Sequence, residues 1–286
     1  LDSTEQQNLS MLELARDFVA AGLLDRAENV LHSLLKDDEL ADDARKMLLQ
    51  IYEQLNEWQK AIDIAEKLSG KNHHRIVAHY YCQLAESDLL LQDFKSASSR
   101  LKRALKADQQ CVRAQILLAQ VYIKLQQYDA AIKHIDQIPE LSSSFASEAW
   151  KLLQQCKSHI DARNLASILV RWLEHTQNTT VALALADSIQ AGEGVSEAEN
   201  FILRHIKRNP TMKGFHRLMT YQLEAMHDEK AAESITLLRS LVEKQIAVKP
   251  IYRCEHCGFS SKVIFWHCPS CKQWGSISPI QGLDGD

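Results

Sequence analysis

Glycine and proline are scarce in this chain, at nine and five residues of 286. A sequence so short of turn formers is not assembled from hairpins, and its stock of Leu, Ala, Lys, Glu and Gln favours helix throughout. No run of about 18 apolar residues occurs, so no stretch reads as a membrane-crossing helix, and no signal-peptide pattern is present. Nor is there an excess of positive charge. Thirty-three Lys and Arg stand against 37 Asp and Glu, a net charge of −4, which excludes nucleic-acid binding by the surface as a whole. Catalytic signatures are missing too: there is no phosphate-cradling glycine loop, no His-Glu-x-x-His and no Gly-x-Ser-x-Gly. The sequence offers no catalytic constellation, and the chain is expected not to be an enzyme.

What is present is a repeat. The stretch 42–70 reads as helix, tight turn, helix: Leu48, Leu49 and Tyr52 on the first helix, Trp58 at the turn, Ala61, Ala65 and Leu68 on the second. With Ala61 as marker, equivalents fall at Ala27, Ala97, Ala131, Ala166, Ala198 and Ala231, in steps of 34, 36, 34, 35, 32 and 33 residues. That is the period of the tetratricopeptide repeat. Each amphipathic pair leaves apolar surface for the next pair to cover, so stacking is obligatory. Small residues at the marker and at Ala15, Ala85, Ala119 and Ala186 fit positions where helices cross most closely. The expectation is an all-α superhelical solenoid of about seven pairs over residues 1–246, with a degenerate fifth pair at 142–176.

Several details follow. Gly70 should cap the second pair and Pro139 should stop the fourth. Asp37, Asp38, Asp42 and Asp43 suit the start of a helix. His73 and His74 read as a surface loop, and the isolated Cys82, Cys111 and Cys156 as small buried hydrophobes. The chain begins at Leu1 rather than Met, which reads as a fragment whose preceding segment, an anchor or earlier repeats, lies outside the sequence.

The chemical signal comes at the end, in residues 250–280, followed by a tail at 281–286. Cys254-Glu-His-Cys257 is followed, after ten residues that begin with Gly258, by Cys268-Pro-Ser-Cys271. Two such loops can each turn both sulfurs to one point and complete a tetrahedron of thiolates. Gly258 and Pro269 suit the two turns, and the gap suits a short hairpin at 260–266. His256 and His267 adjoin the cysteines as bystanders. Four thiolates leave no open coordination position, so the metal is structural or else an electron-transfer iron, and zinc and iron both accept tetrahedral sulfur. Phe259, Phe265, Trp266 and Trp274 exceed what so small a module can bury alone, and some of them are expected to pack on the last helix pair.

Helical repeats followed by Tyr252-Arg-Cys-x-x-Cys-Gly-Phe259, Trp266-His-Cys-Pro-Ser-Cys271, Trp274 and the tail Pro279-Ile-x-Gly-Leu-Asp-Gly285 resemble the lipopolysaccharide assembly protein B family of Gram-negative bacteria. The resemblance implies a rubredoxin-type module, with iron at Cys254, Cys257, Cys268 and Cys271, although zinc is equally compatible. It further implies an N-terminal anchor in the inner membrane, the repeats lying on its cytoplasmic side. The implied role is an adaptor that promotes turnover, by the membrane-bound protease FtsH, of the deacetylase committing precursor to lipid A. Lipopolysaccharide itself and other assembly proteins are further candidate partners, and self-association of the array stays open. On the adaptor reading, first helices line a groove into which Lys46, Gln50, Gln83, Arg113, Gln120 and Lys124 point. Two alternatives remain: a rubredoxin-like electron carrier, and a zinc ribbon reading nucleic acid through Lys249, Arg253, Lys262 and Lys272.

Overall fold

The computed structural model of the chain describes residues 3–37, 39–68, 73–226 and 228–286, with side chains from Gln6 onward. Gly70 and Asp38 therefore lie outside the described residues. Fourteen α-helices are seen among the described residues. They pair as α1 (Ser3–Ala20) with α2 (Leu24–Leu34), α3 (Ala41–Leu55) with α4 (Trp58–Ala65), and α5 (His73–Leu90) with α6 (Phe94–Ala107). Next come α7 (Val112–Lys124) with α8 (Tyr128–Leu141), α9 (Ala146–Gln155) with α10 (Ala162–Thr176), α11 (Thr179–Glu193) with α12 (Val195–Arg208), and α13 (Met212–Ala225) with α14 (Glu229–Val248). Three short strands follow: β1 (Tyr252–Cys254), β2 (Ser260–Ser261) and β3 (Ile277–Pro279). The chain is an all-α tetratricopeptide-repeat solenoid with a small C-terminal cysteine module. It divides into two compact units, Leu1–Ala114 and Gln115–Asp286.

The periodicity has a single physical basis in the second helices. Buried residues recur at one spacing, as Ala27, Leu31 and Leu34; Ala61, Ala65 and Leu68; Ala97, Leu101 and Ala104; Ala131, Ile135 and Ile138; Ala198, Ile202 and His205. Residues so spaced form one stripe of a helix. The fifth pair keeps the stripe but starts it one residue earlier than Ala166, on Leu165, Leu169 and Trp172. Leu165 is 34 residues after Ala131 and 33 before Ala198, so the period is more regular than the alanines alone suggest. The fifth pair thus carries a leucine, Leu165, where α2, α4, α6, α8 and α12 carry a fully buried alanine. Trp172 Nε1 donates to Asp136 Oδ1 of α8 at 2.8 Å, satisfying its one polar atom.

Turn chemistry repeats as well. The residue two places before each of α2, α4, α6 and α8 is left-handed: Gly22 (φ 74°), Asn56 (57°), Gln92 (60°) and Gln126 (58°). That conformation turns the chain sharply enough for the second helix to fold back on the first. Asp42 and Asp43 do lie in the first turn of α3, where carboxylates oppose the helix dipole. Two expectations are corrected. Pro139 sits buried inside α8, which runs on to Leu141; lacking an N–H it removes one bond of the ladder without ending the helix. His73 and His74 are not in a loop but open α5, with His73 half-buried.

Ala131 has no exposed surface, so Ala131→Leu is expected to overpack the buried face of α8 and cost about 1–3 kcal/mol. Urea denaturation of the two proteins measures it, and an unchanged midpoint would contradict the register just described.

Candidate metal centre

The module is built on β1, paired antiparallel to β2 on one side and β3 on the other. The expected hairpin at 260–266 does not form. Its first residues, Ser260 and Ser261, pair back on Arg253 and Tyr252 instead. Each cysteine loop closes by the same two bonds. Gly258 N–H donates to Cys254 O at 2.9 Å and Cys254 N–H to Phe259 O at 2.7 Å; Lys272 N–H donates to Cys268 O at 2.9 Å and Cys268 N–H to Gln273 O at 3.0 Å. The residue after each second cysteine is left-handed, Gly258 at φ 78° and Lys272 at φ 59°. Sequence reasoning found the first and missed the second, since lysine carries no such signal. Lys272→Val, β-branched, is expected to strain this turn by about 1–3 kcal/mol and speed metal loss to a chelator. Lys272→Gly should not, and equal release from both variants would place the constraint elsewhere.

The two loops bring the Sγ atoms of Cys254, Cys257, Cys268 and Cys271 within 4.8 Å of one another. Two of the separations, Cys254 to Cys271 and Cys257 to Cys268, are 3.7 Å. A tetrahedral ion with sulfur at about 2.3 Å requires sulfur–sulfur edges of about 3.8 Å, so the donor set fits a single metal ion. Burial works against the Cys254 thiolate, but the Ser276 hydroxyl and the amides of Cys257 and His256 outweigh it and bring the thiol down to about 6. Burial, and then the neighbouring sulfurs, push Cys271 up to about 11. Four mutually close thiolates repel, and a metal cation held by these four residues would let all of them ionise together. His267 is held away from this role. Its Nε2–H donates to Lys272 O at 2.8 Å while its ring stacks on Trp274 at 4.4 Å.

The module rests on the helices of its own unit. Trp266 stacks on Phe145, in the 3-10 turn Ser143–Phe145 before α9, with ring centroids 5.6 Å apart. Tyr252 donates its hydroxyl to Glu148 Oε1 on α9 at 2.6 Å; burial and that carboxylate raise its pKa above the usual phenol range. For Trp266 these contacts differ from the expectation of packing on the last helix pair, since its ring reaches the start of the fifth. The last pair is engaged through main chain and tail. Lys262 Nζ donates to Ala247 O at 2.6 Å, Met212 N–H to Leu283 O at 2.9 Å, and Lys213 Nζ pairs with Asp286 at 2.7 Å. Thr180 also donates its hydroxyl to Asp286.

Comparison with known proteins bears on this geometry. A family model described as "Rubredoxin metal binding domain" matches residues 252–279, and two "Tetratricopeptide repeat" models match 12–70 and 89–156. "Lipopolysaccharide assembly protein B" of Escherichia coli strain K12 is 38% identical over 285 residues, which cover 98% of this chain and 73% of that protein. The chain belongs to the lipopolysaccharide assembly protein B family. The Haemophilus influenzae protein of the same name is 35% identical over 284 residues, covering 98% of this chain and 72% of its own. Among solved structures, a tetratricopeptide repeat protein from Parabacteroides merdae aligns over 84% of this chain and 93% of its own at 17% identity and a TM-score of 0.37, too loose a likeness to carry an argument. Membership accounts for both parts of the chain, repeats and cysteine module. No described helix is long and apolar enough to cross a membrane.

The six residues expected to line a groove fall into three groups. Lys46 and Gln50 on α3, and Gln120 and Lys124 on α7, are exposed. Gln83 on α5 is half-buried. Arg113 departs from the expectation. Only 1% of its side chain is exposed, and it pairs with Glu86 at 2.8 Å and reaches His79 O at 3.4 Å. A guanidinium held under α5 is a structural tie and does not present itself to a partner.

Proposed function

We propose that the chain is a non-enzymatic adaptor of lipopolysaccharide assembly, bringing the deacetylase that commits precursor to lipid A to the membrane-bound protease FtsH. The observation that carries the reading is the closed cysteine centre seated on the repeats through Trp266 and Phe145. Four sulfurs fill a tetrahedral ion's coordination sphere and leave no position for substrate or activated water. Such a centre fixes the shape of a docking body, and repeat helices supply extended binding faces. Membership in a family whose curated members are named for lipopolysaccharide assembly supports the biological setting. On this reading the protein works at the cytoplasmic face of the inner membrane, and the exposed Lys46, Gln50, Gln120 and Lys124 contact partners. The metal bound by Cys254, Cys257, Cys268 and Cys271 is structural, iron or zinc.

The test uses the full-length protein in membranes. Lys124→Glu combined with Gln120→Glu is expected to lower co-capture of the deacetylase at least tenfold while the helical signal is unchanged. Arg113→Glu should instead lower stability, because it breaks a buried pair and sets two carboxylates together. Undiminished capture by the α7 variant would remove α7 from the binding surface.

A further inference from the structure

A cleft of about 440 Å³ opens beside the sixth pair, lined by Val170, Leu173 and Glu174 of α10, Leu185 of α11, and Phe201 and Arg204 of α12. His205 and Arg208 on α12 and Gln177 after α10 complete it. Two second helices and one first helix form it, so it is distinct from a groove lined by first helices. One wall is apolar, with Val170 42% exposed. Along the other edge Arg204 and Arg208 stand one helical turn apart, both exposed, and among the described residues neither has an ion-pair or hydrogen-bond partner. Two other arginines of this unit are tied down by carboxylates. Arg171 pairs with Asp136 and Arg217 with Asp187.

The floor is rigid. His205 is buried, its pKa lowered by that burial, and its Nε2 lies 3.2 Å from Thr179 Oγ1. Thr211 donates to the same Thr179 hydroxyl at 3.1 Å and accepts from Gly214 N–H at 3.1 Å. A neutral imidazole tied into a buried hydroxyl chain holds α12 in register without adding charge, so the cleft's positive edge is the work of the two arginines alone.

We propose that this cleft is a second docking site, for an extended protein segment in which a bulky apolar side chain stands within a few residues of one or two carboxylates. The apolar wall accepts the side chain, and guanidinium forks pair with carboxylates in bidentate geometry. Glu174 on the opposite rim sets the direction. It repels an acidic group at that end, which disfavours the uniformly anionic surface of a membrane and favours a peptide whose charge sits at one end. The inference stands on the cleft's own chemistry and does not depend on the adaptor reading.

A displayed library of random dodecapeptides, selected on the 286-residue chain and on its Arg204→Glu/Arg208→Glu variant, tests it. Both arginines are exposed, so the variant should fold, and circular dichroism checks that. Selection on the unsubstituted chain is expected to enrich peptides carrying Leu or Phe near Asp or Glu. Their affinity should fall tenfold or more in the variant, and replacing their acids by Lys should restore binding to it. Peptides without that pattern, or with the pattern but indifferent to the variant, would overturn the proposal. So would phosphatidylglycerol vesicles whose binding is lost in the variant while no peptide is selected.

Discussion

Removing the metal, or replacing Cys257 with Ser, is expected to unfold residues 252–279 and loosen the helices beneath them, leaving the Leu1–Ala114 unit as it was. Thiolate coordination in small metal modules is worth on the order of 10 kcal/mol, and three two- or three-residue strands cannot replace it. With the module go the stacking of Trp266 on Phe145, the Tyr252 bond to Glu148, and the tail that ties Leu283 and Asp286 to Met212 and Lys213. Hydrogen exchange should therefore rise first in the module, then at the 3-10 turn and α9, and at the start of α13. In a repeat array each pair depends on its neighbours, so α1 to α6 should keep their protection. Uniform loss across the chain would mean one cooperative unit. No loss outside 252–279 would mean the contacts with α9 carry little energy.

The second large effect is expected at the seat of the module. Phe145 is 5% exposed, and Phe145→Ala should cost about 3–5 kcal/mol while leaving all four sulfurs able to hold metal. Glu148→Gln, which keeps a hydrogen bond to Tyr252 but removes its charge, should cost less, about 1 kcal/mol. The informative outcome is the separation of two readouts. Phe145→Ala should retain one metal per chain yet lose partner capture, because the module is held but wrongly placed. If capture persists with the metal, the seat is irrelevant to function; if both vanish together, docking and metal binding are one event.

The repeat was legible in the sequence because one stripe of buried residues recurs on six second helices, and small residues mark the crossings. It was read one place off in the fifth pair, where Leu165 takes the buried position and the half-buried Ala166 beside it carries the expected residue type. Composition identifies a small residue; only the fold shows which face it is on. The four cysteines were legible for a local reason, since each loop's geometry is set within six residues. The module's seat was not, because Tyr252 meets Glu148 across 104 residues and nothing in either residue names the other. Arg113 failed as a groove residue for the same reason. A helix face tells where a side chain starts, while the carboxylate that draws it inward, Glu86, stands 27 residues earlier.

The most direct measurement loads the full-length protein with zinc in one preparation and iron in another, then follows FtsH-dependent loss of the deacetylase in reconstituted membranes. A structural centre predicts equal rates from the two, both abolished by Cys257→Ser. Turnover with iron alone would contradict the account and make the cysteine centre a redox participant.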